Sequence, residues 1–110
     1  MYQVLISFWS AVRSVFHDAW GIDSRQSRLM HSAGILAMGV LMDRVCTNSR
    51  VGTNAKKIAH ELLKIREKCH WTNGNWENSG MSWNYFQNTP RDIRLLQDEL
   101  IQAYARSEQD

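Results

Sequence analysis

Gly34-Ile35-Leu36-Ala37-Met38-Gly39-Val40-Leu41-Met42 is a run of nine residues without one polar side chain. A helix through such a run is apolar on every side, so it needs neighbours in more than one direction and belongs near the centre of its fold. It is too short for a membrane, because the least charged stretch, Ser32 to Met42, is about half of the roughly 20 residues a spanning helix requires. The two glycines sharpen this expectation. In a helix interior each costs about 1 kcal/mol relative to alanine, a loss that makes sense where a second backbone approaches closely. Gly34 and Gly39 are therefore both read as packing notches, where leucine would overpack the core. Asp23 or Ser24 can cap this helix at its start, giving it a span of about 24–46.

Periodicity elsewhere supplies the neighbours. From Tyr2 to Trp20, Val4, Leu5, Phe8, Trp9, Val12, Val15, Phe16 and Ala19 recur at intervals of three and four, which predicts an amphipathic helix over 2–20 ended by Gly21. Thr53 or Asn54 caps a third helix, 54–69, with Ile58, Leu62, Ile65 and Cys69 on its inner side. Thr89, Pro90 and Asp92 mark the start of a fourth, 90–105, whose apolar face is Ile93, Leu96, Leu100, Ile101 and Tyr104. Leu95 points away from that face and is a candidate partner contact. The expected fold is an all-α, single-domain bundle of four helices, with a loop at 70–88 closing over one end. Asn73-Gly74 between Trp71 and Trp76 reads as a two-residue hairpin turn. Trp71, Trp76 and Trp83 are expected to pack on the helices, since a buried tryptophan contributes up to about 5 kcal/mol.

Charge and chemistry narrow the function. The net charge is +2, but Arg44 to Lys68 holds seven basic residues against Glu61 and Glu67, while Cys69 to the end holds three against six acids. Two cysteines make no disulfide framework, and four histidines lack ligand spacing, so a reducing cytoplasm is expected, with no metal, no cofactor and no membrane. Ala59-His60-Glu61-Leu62-Leu63-Lys64 begins like a zinc-protease helix, yet Lys64 occupies the place of the second histidine. Cys46 and Cys69 are read as small buried thiols, and His31 as a hydrogen-bonded core histidine. No catalytic residue is assigned.

The reading that remains is a non-enzymatic interaction or regulatory module with a protein partner or self-association. The alternative is nucleic-acid binding, in which Lys57, Lys64, Arg66 and Lys68 meet phosphates and Trp71 and Trp76 stack on bases. A third is an enzyme site assembled from the dispersed His17, His31, His60 or His70.

Ala19-Trp20-Gly21-Ile22, Ser27 to Ile35 and Met38 to Asp43 resemble the helical C-terminal part of bacterial DGQHR-domain proteins. Cys69-His70-Trp71-Thr72, with Gly74, Trp76 and Trp83, and then Gln87 to Ile93, are similar to the end of the same proteins. The resemblance implies a bacterial protein tied to DNA modification, defence islands or mobile elements, corresponding to a detached tail of the longer family members. The defining Asp-Gly-Gln-His-Arg motif is absent, and no catalytic residue carries over.

Overall fold

A computed structural model describes residues 2–47 and 50–109. Its helices are α1 (Tyr2–Val15), α2 (Ser32–Cys46), α3 (Ala55–Leu63) and α4 (Pro90–Gln109), with a 3-10 turn at Arg66–Lys68 after α3. There is no strand among the described residues, only an isolated antiparallel bridge between Asn75 and Ser82. The fold is thus the expected small all-α bundle. No described helix is long and apolar enough to cross a membrane.

The helices pack as two pairs, α1 on α3 and α2 on α4, with a narrower contact between α2 and α3. Phe8, Ala11, Val12 and Val15 of α1 and Ile58 and Leu62 of α3 are buried, at the helical spacing that puts them on one face. Ala37, Met38, Leu41 and Val45 of α2 are buried in the same core as Leu96, Leu100 and Tyr104 of α4. Glu61 of α3 ties the pairs together: the Tyr104 hydroxyl donates to it at 2.7 Å, and Lys64 bridges it at 2.8 Å. Burial alone would push the Glu61 carboxyl up, but the hydrogen bonds from Lys64 and Tyr104 outweigh that and hold it below its ordinary range.

Four boundaries differ from the sequence expectation. The first helix ends at Val15, and residues 16–20 continue only as turns. Gly21 does take a left-handed φ of 81°, but six residues after the last residue of the helix. The second helix starts at Ser32, with His31 as its N-cap, because the segment before it is drawn into tertiary bonds that a helix could not make. The Ser27 hydroxyl donates to the Ala19 carbonyl at 2.9 Å, and the Arg28 N–H donates to the Trp71 carbonyl, also at 2.9 Å. The buried Arg28 guanidinium donates to the Phe86 and Asn84 carbonyls, each at 2.8 Å. Finally, the third helix shortens to residues 55–63, and the fourth extends to Gln109.

Arg28 also accounts for one of the two glycines. A Cβ at Gly34 would lie 1.8 Å from the Arg28 carbonyl oxygen, an impossible contact, so this notch is real. Gly39 is different. A Cβ there meets nothing within 4 Å, so its expected role as a second notch is overturned: no described residue packs against it.

The 70–88 segment folds inward. Trp71 is 4% exposed and Trp76 1%, and their rings meet edge to face at 5.2 Å, while Trp83 stays half-buried. The reversal of the chain falls at 77–80 rather than at Asn73-Gly74. The Trp76 N–H donates to the Met81 carbonyl at 2.8 Å, the Gly80 N–H donates to the Trp76 carbonyl at 2.9 Å, and Gly80 carries a φ of 72°. The deciding group is distant in sequence. The buried Glu99 carboxylate on α4 accepts the backbone N–H groups of Asn78 and Ser79 at 3.2 and 2.6 Å, which fixes the turn there.

Candidate functional site

The side of α2 that carries Gly39 is the clearest candidate surface. Ile35, Leu36 and Val40 are 42%, 52% and 39% exposed, and with Gly39 they form an apolar stripe about two turns long. Ser32 and Asp43, both exposed, bound it at its two ends. The nine-residue apolar run therefore has one face in the core and one face open. Sequence reading missed this stripe because a run without polar residues gives no phase to tell the inner face from the outer. Leu5 and Ile6 on α1 make a smaller exposed pair, and Leu63 stands alone on α3. Leu95, the expected partner contact, is instead partly buried against the core.

The residues named for a nucleic-acid surface are largely committed to contacts within the protein. Trp71 and Trp76 are core residues, nearly out of solvent, that meet Phe16, His70 and each other edge to face. Lys64 pairs with Glu61 at 2.8 Å, Lys68 with Glu77 at 3.3 Å and Arg66 with Asp18 at 3.7 Å. Of the four named cations only Lys57 makes no ion pair among the described residues. A ridge whose charges are matched by carboxylates presents little net field to a phosphate backbone.

Two of the four histidines have packing or capping roles. His31 Nδ1 accepts the Ala33 N–H at 3.1 Å and so caps α2, and its burial beside the Arg28 cation holds its pKa below the ordinary histidine value. His70 packs on Trp76 beneath Gly74. No group of three or more His, Cys, Asp or Glu among the described residues is placed to hold a metal ion. Burial pushes the Cys69 thiol up, and burial with Asp43 nearby does the same for Cys46, so both are poor nucleophiles.

Two small clefts lie among the described residues. One, of about 80 Å³, lies between α4 and the 3-10 turn, where Lys64, Lys68 and Arg106 face Glu77 and Glu99. The other, of about 100 Å³, lies just beyond the end of α1, between Asp18 and Arg66 on one side and Trp71, Thr72 and Asn73 on the other.

Comparison with known proteins finds no matching family model, no matching curated protein and no matching solved structure.

Proposed function

We propose that this protein is a non-enzymatic interaction module that binds a protein partner through the exposed stripe of α2. The observation that carries this reading is the side chains of Ile35, Leu36 and Val40 standing in water around an open Gly39. Burying them is favourable, at about 25 cal/mol per Å², and the absence of a Cβ at Gly39 lets a partner approach the helix closely. The stripe offers roughly 250 Å², against the roughly 800 Å² per subunit that a stable interface buries. A second copy meeting it stripe to stripe falls well short of that. A different protein, contributing a groove that also reaches the flanks of α2, does not.

The resemblance to DGQHR-domain proteins supports placing this module in a bacterial DNA-modification, defence or mobile-element system. A reading frame carrying the DGQHR motif immediately upstream is the observation that tests that placement.

The interaction itself is tested with a photo-crosslinking amino acid at Leu36, applied in the source cells, together with sedimentation of the purified chain. One discrete adduct, lost when Val40→Glu is added, and a monomer at tens of micromolar are expected. A stable dimer would reassign the stripe to self-association, and no adduct at all would end the proposal.

A further inference from the structure

The cleft beyond the end of α1 has a surplus of hydrogen-bond donors. Arg66 is anchored there by its Nε–H, which donates to the Val15 carbonyl at 2.9 Å, at the carbonyl end of α1. Its Nη2 lies 3.7 Å from Asp18, beyond hydrogen-bond range, so the outer N–H groups of the guanidinium fork are uncommitted. Trp71 lines the same cleft and is 4% exposed; its indole N–H is itself out of reach of solvent and meets no acceptor among the described residues. A buried donor in that state costs about 1–3 kcal/mol. The Thr72 hydroxyl and Asn73 amide, also on the wall, make no hydrogen bond among the described residues.

Against these donors the cleft sets one carboxylate. Asp18 is 64% exposed at the rim, where its long ion pair with Arg66 is weak and easily exchanged. Cys69, also on the wall, is held as the neutral thiol by burial and so does not repel an anion. A cation would find no second charged ligand. What the cleft lacks is an acceptor within hydrogen-bond reach of the outer guanidinium edge, and one carrying negative charge would match it best.

We propose that this cleft binds a small oxyanion, a carboxylate or phosphate group, gripped by the free edge of Arg66 and by the Thr72 hydroxyl and Asn73 amide on the facing wall, with Trp71 beside it as a reporter. At about 100 Å³ it admits such a group but not the body of a large ligand. This inference is independent of the α2 stripe, and neither depends on the other being correct.

The test follows the indole N–H resonances of the ¹⁵N-labelled protein, with the Trp71 signal assigned by its loss in Trp71→Phe. Sodium acetate and inorganic phosphate are titrated separately, against sodium chloride at matched ionic strength. The expected result is a saturable shift of the Trp71 signal with an affinity of about millimolar, as suits so small a ligand. The more effective of the two anions identifies the group. Arg66→Gln should weaken binding about tenfold or more, whereas Asp18→Asn, a change at an exposed side chain that leaves the fold intact, should tighten it several-fold. No saturable shift with either anion would overturn the proposal and leave the cleft to ordered water. A shift equal to that of chloride, or one unmoved by Asp18→Asn, would overturn it as well.

Discussion

Alanine at Gly34 and alanine at Gly39 should have opposite effects, although both glycines lie inside the same helix and the same apolar run. At Gly39 the new methyl meets nothing within 4 Å. What remains is the backbone term, and replacing a helix-interior glycine by alanine stabilises by about 1 kcal/mol. That corresponds to a rise of about 4 °C in Tm for a chain near this length. At Gly34 the methyl would sit 1.8 Å from the Arg28 carbonyl oxygen and 2.8 Å from its carbon, both backbone atoms that cannot swing aside. Either the start of α2 lifts off its buried Ala33 and Ala37, or the Arg28 peptide turns. Turning it would disturb the guanidinium bonds to residues 84 and 86. Overpacking of this kind costs about 3 kcal/mol, and the helix-propensity gain recovers about 1 kcal/mol of it, so a net loss near 2 kcal/mol is expected. Urea denaturation of the two variants and the parent, with the slope m checked for constancy, measures both. A Gly34→Ala protein as stable as the parent would refute the close approach of Arg28. A Gly39→Ala protein destabilised by about 1 kcal/mol would refute the open face on which the proposed function rests.

Further outcomes follow from the polar contacts. Arg28→Met should destabilise by about 3 kcal/mol, since two inward carbonyls lose a charged donor, and chemical denaturation reads it directly. His31 has a folded pKa below its unfolded one, so its contribution to stability is fully present above about pH 6.5 and is lost as pH falls through the folded pKa; His31→Asn, a cap that does not titrate, should flatten this part of the urea midpoint against pH. Glu61 follows the acidic rule, its contribution present above its unfolded pKa of about 4.5 and lost below. Tyr104→Phe, which removes one of its donors, should shift the acid-unfolding midpoint to higher pH.

The parts of the fold legible in the sequence were those set by local pattern. The cores of α1, α3 and α4 follow from spacing such as Phe8-Val12-Val15, Ile58-Leu62 and Leu96-Leu100. Thr89 behaves as the expected cap, accepting the Asp92 N–H at 3.2 Å, although the Asp92 carboxylate reaches back to the Gln87 N–H instead of that of Thr89. The misreadings share one cause, a distant residue overriding a local preference. Asp23 and Ser24 are good caps, yet Arg28, drawn to the carbonyls of residues 71, 84 and 86, keeps 24–31 out of a helix. Asn73-Gly74 is a good turn, yet Glu99 places the reversal four residues later. Gly34 and Gly39 look alike in sequence, and only the position of Arg28 tells them apart. The candidate sites were the least legible. The α2 stripe needed to know which face α4 covers, and the oxyanion cleft joins residues 18 and 66 with 71–73, which no spacing connects.

The helix pairing also has a consequence for how the chain can be divided. Because α1 packs on α3 and α2 on α4, the order along the chain interleaves the two pairs, and neither pair is made by consecutive helices. A cut between α2 and α3 therefore severs both pairs at once and leaves two fragments, each holding half of each interface. Neither half keeps a core of its own, so each should gain structure only on meeting the other. The interleaving also makes the first stable contacts long in sequence, which slows folding relative to a bundle of sequential hairpins. Such a chain is suited to working as one cooperative unit, and a break anywhere near its middle is felt in every helix.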